Sequence, residues 1–175
     1  SYISIMKVAV YGRALSSDSS AEALQTLCRK LEKAGVNVIV YEPFLKQIGS
    51  KWKINVTHVF KKYEDIKGKV KFLFSIGGDG TFLETVTLVR GSEIPVMGIN
   101  TGRLGFLSSI SKDEIMPAVD SLLKGSYSLD KRTVLELDVK GNYFSGCKFA
   151  LNEIAVQKTS SSSMITIHAS LNGKF

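Results

Sequence analysis

Five residues constrain this chain more than any others: Gly77-Gly78-Asp79-Gly80-Thr81. They follow an apolar run from Val70 to Ile76 that only Lys71 and Ser75 interrupt. A short run of this kind, rich in β-branched and aromatic residues, reads as a buried parallel strand. Phe82, Leu83, Val86 and Val89 then recur at roughly helical spacing, so a helix is expected from Thr81 to about Arg90. The motif is therefore a strand-to-helix turn in which three of the five residues lack a Cβ. Glycine lets the chain turn sharply and lets a ligand approach the backbone. A helix N-terminus just beyond offers unpaired N–H groups suited to phosphate. The only ionisable group is Asp79. It could cap the helix, but Thr81 and Glu84 already have the spacing of a Thr-x-x-Glu capping box, which would leave Asp79 free.

The segments before the motif support an α/β reading. Met6 to Tyr11 is a short apolar strand ending at Gly12, and Ser17 to Ser20 is a polar loop. Ser19-x-x-Glu22 is a capping box, followed by Leu24, Leu27, Cys28 and Leu31 at i, i+3, i+4 and i+7. Gly35 closes that helix and Val36 to Tyr41 is the next strand. A β-α-β start argues for a parallel sheet. Glu42 to Lys69 is harder to read: Phe44, Leu45 and Ile48 suggest a short helix, and Val56 to Phe60 a strand. His58, among apolar residues, reads as structural rather than as a ligand.

Beyond the motif, Pro95 introduces a strand over Val96 to Ile99. The loop from Asn100 to Gly105 then lies where open α/β sheets place ligands, on the same edge as Asp79. Its cation, Arg103, reads equally as a ligand group or as an exposed surface arginine. Ser111-x-x-Glu114 is a third capping box, and Ile115, Val119, Leu122 and Leu123 continue that helix to Gly125. The character changes near Tyr127. Leu135, Leu137 and Val139 alternate with Glu136, Asp138 and Lys140 as in a half-buried strand, and Gly141-Asn142 signals a hairpin. Tyr143 to Ala150, Ile154 to Gln157 and Ile165 to Leu171 read as further antiparallel strands, with a polar loop at Thr159 to Ser163 and His168 on a solvent face. Asn172-Gly173 is a strong hairpin signal with only Lys174 and Phe175 after it, so this region looks cut short. We expect a parallel, Rossmann-like domain over residues 1–125 and the start of an antiparallel all-β domain over 126–175.

Composition narrows the function. Apolar residues make up 44% of 175, enough for a core, and no run reaches the length of a membrane span. Residues 1–5 could be a leader ahead of Met6. Cys28 and Cys147 follow no metal spacing and read as reduced residues of a cytoplasmic protein. The net charge of +7 suits anionic ligands such as nucleotides. The lysines are scattered and not interleaved with aromatics, which argues against a nucleic-acid platform. A Gly-x-x-x-x-Gly-Lys loop is absent, excluding a P-loop mechanism.

Gly77-Gly78-Asp79-Gly80-Thr81 after a buried strand resembles the signature of the NAD kinases and their relatives, the lipid kinases and phosphofructokinases. Asn152-Glu153, within Ala150-Leu151-Asn152-Glu153-Ile154, is similar to the Asn-Glu pair of NAD kinases. Gly98-Ile99-Asn100-Thr101-Gly102-Arg103-Leu104-Gly105-Phe106-Leu107 is similar to that family's Gly-Phe-Leu loop. The resemblance covers essentially the whole chain, and the three motifs in order are fairly specific. It implies ATP-dependent phosphorylation of the adenosine-ribose 2′-hydroxyl of NAD. Asp79 would be the carboxylate that orients the hydroxyl and takes its proton. Gly77, Gly78, Gly80 and Thr81 would shape the phosphate cradle. Phe106 would pack beside the nucleotide, and Asn152 and Glu153 would bind the adenosine side of the dinucleotide. Mg²⁺ is expected with ATP, without a protein-built metal site. The family's longer β domain and its Thr-Pro-Thr-Gly-Ser segment are not found here, which implies poor activity for this chain alone. A lipid or sugar kinase with the same signature, and a nucleotide-binding fragment without turnover, are the alternatives. A homo-oligomer is expected, with NAD and ATP as partners and neither nucleic acid nor membrane.

Overall fold

The computed structural model describes residues 6–13, 18–50, 52–56, 58–141, 148–159 and 164–175. The residues 1–5 suggested as a leader, Asn142, Cys147 and most of the Thr159 to Ser163 loop lie outside them.

The elements run in the order β1 (Lys7–Gly12), α1 (Asp18–Lys33), β2 (Asn37–Tyr41), α2 (Glu42–Ile48), β3 (His58–Phe60) and α3 (Tyr63–Ile66). Then come β4 (Phe72–Ile76), α4 (Asp79–Glu84), α5 (Val86–Val89), β5 (Val96–Asn100), β6 (Ile110–Ser111), α6 (Ile115–Leu123), β7 (Val134–Glu136) and β8 (Phe149–Leu151). Six strands form one parallel sheet in the order β3-β2-β1-β4-β5-β6, and β7 and β8 form a separate antiparallel pair. The expected α/β, Rossmann-like class is thus what the chain adopts, followed by a small antiparallel element.

Both faces of the parallel sheet are covered, which is why its strands read as near-continuous apolar runs. On one face Val8, Val10, Phe74 and Ile76 pack with Leu24, Leu27 and Leu31 of α1 and with Ile115, Val119 and Leu122 of α6. On the other, Ala9, Tyr11 and Leu73 pack with Ile66 of α3 and Leu88 of α5. Each fully buried leucine stabilises the fold by about 1.5–3 kcal/mol relative to exposure. Gly35, at φ 70°, ends α1 as its position suggests: Val36 N–H donates to Leu31 C=O at 3.0 Å and Gly35 N–H to Glu32 C=O at 2.9 Å. That pairing satisfies the last carbonyls of the helix. Gly125 repeats the arrangement after α6.

Of the three capping boxes expected, one forms. Ser111 N–H and Oγ–H both donate to Glu114 Oε2, at 2.9 and 2.7 Å, ahead of α6. Ser19 is not a cap, because α1 already begins at Asp18 within the stretch read as a loop, and Ser19 Oγ–H donates to Thr101 C=O instead. Thr81 and Glu84 are not a box either: α4 begins at Asp79 with Gly78 at its N-cap and no side chain capping it. The helix expected to run to Arg90 is broken at Thr85, whose Oγ1–H donates to Phe82 C=O at 2.6 Å, a local bond that competes with the helical ladder.

The antiparallel region differs most from its sequence pattern. β7 and β8 pair with Val134 opposite Leu151 and Glu136 opposite Phe149. The half-buried strand expected through Val139 stops at Glu136, with β7 itself exposed. Ile154 to Gln157 and Ile165 to Leu171 form no strand; Ile165 and Ile167 are exposed, and only Leu171 bridges, to Lys174. Alternation marks a shared face, but a strand needs a neighbour to complete its hydrogen bonds, and these segments have none among the described residues. The Asn172-Gly173 turn does form, with φ of 51° and 76° and mutual backbone bonds between Leu171 and Lys174.

Candidate active site

The strand order reverses between β1 and β4. In an open α/β sheet the crevice beyond the carboxyl ends of the strands at such a reversal is the ligand position. Three segments meet there: Gly12-Arg13 after β1, Gly77 to Gly80 after β4, and the 101–109 loop after β5. Gly77 N–H donates to Ile99 C=O at 2.9 Å and ties the ends of β4 and β5 together.

Within the central motif the glycines divide by role. Gly77 sits at φ 151°, and a Cβ on it would collide with Thr81 Oγ1 and lie 2.7 Å from Thr81 Cβ. Thr81 is buried, packed under the turn. Gly78 and Gly80 are different: a Cβ on either would meet nothing within 4 Å. The chain's own packing does not require their bareness, and both flank Asp79 on the solvent side of the turn. At six residues α4 is short, so any welcome for an anion there comes more from open backbone than from a macrodipole.

Asp79 is the best-connected side chain of the crevice. Its Oδ2 accepts Phe106 N–H at 2.8 Å, and its Oδ1 accepts Leu107 N–H at 3.0 Å and Ser108 N–H at 2.9 Å. These donors, Ser108 foremost, then Phe106 and Leu107, hold the carboxyl below the usual aspartate range. Three consecutive N–H groups converging on one carboxylate make a nest of the kind that binds anions. The structure thus joins two motifs that lie 27 to 29 residues apart. Phe106, which supplies one of those N–H groups, has a side chain 98% exposed, so it is not a core residue. Arg103 is exposed, and its carbonyl accepts Asn100 Nδ2–H at 2.7 Å.

Sequence reasoning missed several neighbours. Tyr11 hydroxyl donates to Glu84 Oε2 at 2.6 Å, and Arg13 pairs with Glu84 Oε1 at 2.8 Å, which fixes Glu84 across the β1–β4 crevice. Burial, then the bond to Glu84, pushes the Tyr11 hydroxyl above its ordinary pKa. No short motif announces this trio. Asn100 could have been found: Asn-x-Gly after a strand is the pattern of an Asx turn, and Asn100 Oδ1 does accept Gly102 N–H at 2.7 Å.

Asn152 and Glu153 are exposed and follow β8; Asn152 adopts φ 74° and Glu153 N–H donates to Leu151 C=O at 3.1 Å. β8 packs against α5, the helix that continues from the central turn. Among the described residues neither side chain bonds to the Gly77–Thr81 turn. A cavity of about 350 Å³ lies beside the loop, lined by Phe82, Met97, Phe106, Leu107, Tyr127 and Asp130 among others. It does not include Asp79 or Gly77 to Gly80. The carboxylate and its donors, not this largely apolar hollow, mark where polar chemistry is possible. No three His, Cys, Asp or Glu among the described residues converge as metal ligands. Cys28 is buried in α1, which pushes its thiol up to about 12 and leaves it inert. His58 is exposed on β3, away from these groups.

The N-terminal domain of ATP-NAD kinases matches residues 13–127 as a family model. The chain belongs to the ATP-NAD kinase family. It is 38% identical over 172 residues to the NAD kinase of Bacteroides fragilis (strain YCH46), covering 96% of this chain and 57% of that protein. It is 37% identical over 173 residues to the NAD kinase of Flavobacterium psychrophilum, covering 97% and 58%. The chain therefore spans a little over half the length of these relatives. Its fold is similar to the crystal structure of yeast NADH kinase complexed with NADH, with a TM-score of 0.67 at 23% identity, over 84% of this chain and 46% of that one. No helix among the described residues is long and apolar enough to cross a membrane.

Proposed function

We propose that this chain supplies the nucleotide-binding part of an enzyme that phosphorylates NAD on its adenosine-ribose 2′-hydroxyl, with ATP as donor. In that reaction a bond forms between the ribose oxygen and the γ-phosphorus. The bond from that phosphorus to the β–γ bridging oxygen breaks, ADP leaves, and the hydroxyl proton passes to Asp79 and on to solvent. The observation that carries the reading is the Asp79 carboxylate, fixed by backbone at the strand-order reversal of a chain of this family. Phosphoryl transfer asks little covalent chemistry of the protein; positioning and charge dominate. A rigid carboxylate of depressed basicity suits that demand as an orienting acceptor that takes the proton only as transfer proceeds.

The other assignments follow the same reading. The open backbone at Gly78 and Gly80 supports a place for phosphate, with Gly77 and Thr81 holding the turn. The full exposure of Phe106 supports a role as a platform beside the nucleotide. Asn152 and Glu153 are assigned to the adenosine side. A divalent ion, Mg²⁺, would travel on the triphosphate and neutralise its charge. Residues 1–125 form the nucleotide-binding domain in this reading and 126–175 the opening of a β domain, in a cytoplasmic homo-oligomer.

The test is NADP formation from NAD and ATP, in this chain and in a form extended to the relatives' length, with diacylglycerol and fructose 6-phosphate as rival acceptors. NADP alone is expected. Asp79→Asn should lower the rate by about 10²–10⁴-fold, the range for a lost general base, and should also lower the melting temperature, because an amide nitrogen cannot accept the N–H that one carboxylate oxygen accepts. A variant that still folds cooperatively at the assay temperature and keeps more than about a tenth of the rate removes Asp79 from the role.

A further inference from the structure

Ser108 is held from two sides. Its N–H donates to Asp79 Oδ1 at 2.9 Å, and its C=O accepts Asn100 Nδ2–H at 3.3 Å. Asn100 is buried, and each of its polar atoms is engaged: Nδ2 also donates to Arg103 C=O at 2.7 Å, and Oδ1 accepts Gly102 N–H at 2.7 Å. One side chain thus pins both ends of the 101–108 loop, and the loop's far end presents the three N–H groups that hold Asp79. Gly105 lets the loop close. A Cβ there would collide with Asp79 Oδ1 and lie 2.5 Å from Cγ and 2.7 Å from Oδ2. Gly105 is not among the positive-φ glycines, so its backbone would accept alanine; what excludes the extra carbon is the carboxylate.

An ionised carboxylate offers about two acceptor positions on each oxygen. Leu107 and Ser108 occupy both on Oδ1, and Phe106 occupies one on Oδ2. We propose that Asn100 and Gly105 are positioning residues of the site: they shape the 101–108 loop so that its backbone locks Asp79 and leaves a single acceptor position, on Oδ2, for the incoming hydroxyl. This rests on the kinase reading for the identity of that hydroxyl, and on geometry alone for the lock.

The experiment has two readouts. Amide exchange by NMR reports the lock in this chain without any turnover. In the wild type the 106, 107 and 108 amides are protected; in Gly105→Ala they exchange about tenfold faster or more, as expected for lost bonds to a charged acceptor. Steady-state kinetics in the form that turns over NAD should show kcat falling about 10²-fold, the cost of a misplacement near 1 Å, with KM for ATP unchanged, while the melting temperature falls with the lost bonds and unfolding stays cooperative. Gly91→Ala is the control, because it lies outside the loop and a Cβ there meets nothing within 4 Å; it should leave both readouts as in the wild type. Asn100→Ala should repeat the Gly105→Ala signature. If that variant does not fold, Asn100→Asp, which keeps the acceptor and loses the donor, takes its place. Unchanged protection of 106–108 in Gly105→Ala overturns the proposal, and so does lost protection with unaltered kcat. Absence of NADP from every wild-type form overturns the kinase reading, while the exchange readout still decides the lock.

Discussion

Val8, Val10, Leu73, Phe74 and Ile76 of the parallel sheet are fully buried, whereas Val134, Leu135, Ile154, Val156, Ile165 and Ile167, which follow an equally readable apolar pattern, stay exposed. The two regions differ in what the chain supplies beside each strand. In the parallel half each crossover from β1 through to β5 carries a helix of its own, so a strand and a segment that covers it arrive together. In the antiparallel half, alternation says which residues share a face, and beyond the contact of β8 with α5 nothing among the described residues forms a layer against it. Periodicity is therefore a statement about direction. Burial is a statement about a second surface.

Substitutions in the two halves should differ accordingly in their cost. In the parallel half the largest effect is expected at Leu27, fully buried on α1 between the sheet and α6. Leu27→Ala should cost about 2–5 kcal/mol by urea unfolding, from lost transfer and the cavity left behind. A loss under about 1 kcal/mol would mean the α1 face is packed far more loosely than its burial implies.

A more local effect concerns Asp79 itself. Its carboxyl is held below the ordinary value by the Ser108, Phe106 and Leu107 N–H groups, so the folded pKa lies under the unfolded one. The lock is then fully present above about pH 4, the unfolded aspartate value, and is lost as pH falls through the lower folded pKa. Carboxyl ¹³C titration by NMR should place the Asp79 midpoint below that of an unstructured aspartate, with the 106–108 amide shifts following it. A midpoint at or above about 4 would contradict the three bonds. Smaller again is Ser111→Ala, which removes one bond of the box with Glu114. It should cost about 1 kcal/mol by thermal melting, and an effect near zero would show that the backbone N–H bond to Glu114 carries the cap alone.

The same contrast explains what could be read ahead of the structure. Signals complete within a few residues were sound: the Gly35 and Gly125 helix ends, the Ser111–Glu114 box, the Asn172-Gly173 turn and the buried strands. Signals that needed a distant partner were not. Thr81 and Glu84 match a capping box in spacing, yet Glu84 is drawn to Tyr11, 73 residues earlier, and Thr81 is drawn under Gly77. Ser19 matches one too, and bonds instead to Thr101. Asp79 does not cap α4, but the Thr81–Glu84 spacing that would leave it free is not the reason. Its oxygens are engaged by the Gly-Phe-Leu loop, and no local pattern could announce that. The same holds for Gly105, whose lack of a side chain matters only because Asp79 closes on it.

The smallest effect is expected in the exposed half. Ile167 is 59% exposed, lies in no strand and has apolar neighbours in sequence at Ile165 and Ala169. Ile167→Ser therefore removes little from the folded state, and stability should change by no more than about 0.5 kcal/mol. The denaturant dependence should also stay as it was, because the apolar surface exposed on unfolding hardly changes. A loss above about 1 kcal/mol would show that a covering surface exists for this face after all. Equilibrium unfolding of Ile167→Ser beside Leu27→Ala, at several protein concentrations, separates the cases. A penalty that grows with concentration would identify that surface as a second copy of the chain, since association stabilises by mass action. A penalty independent of concentration would place it within the chain. No penalty leaves the two halves as unlike as their burial makes them.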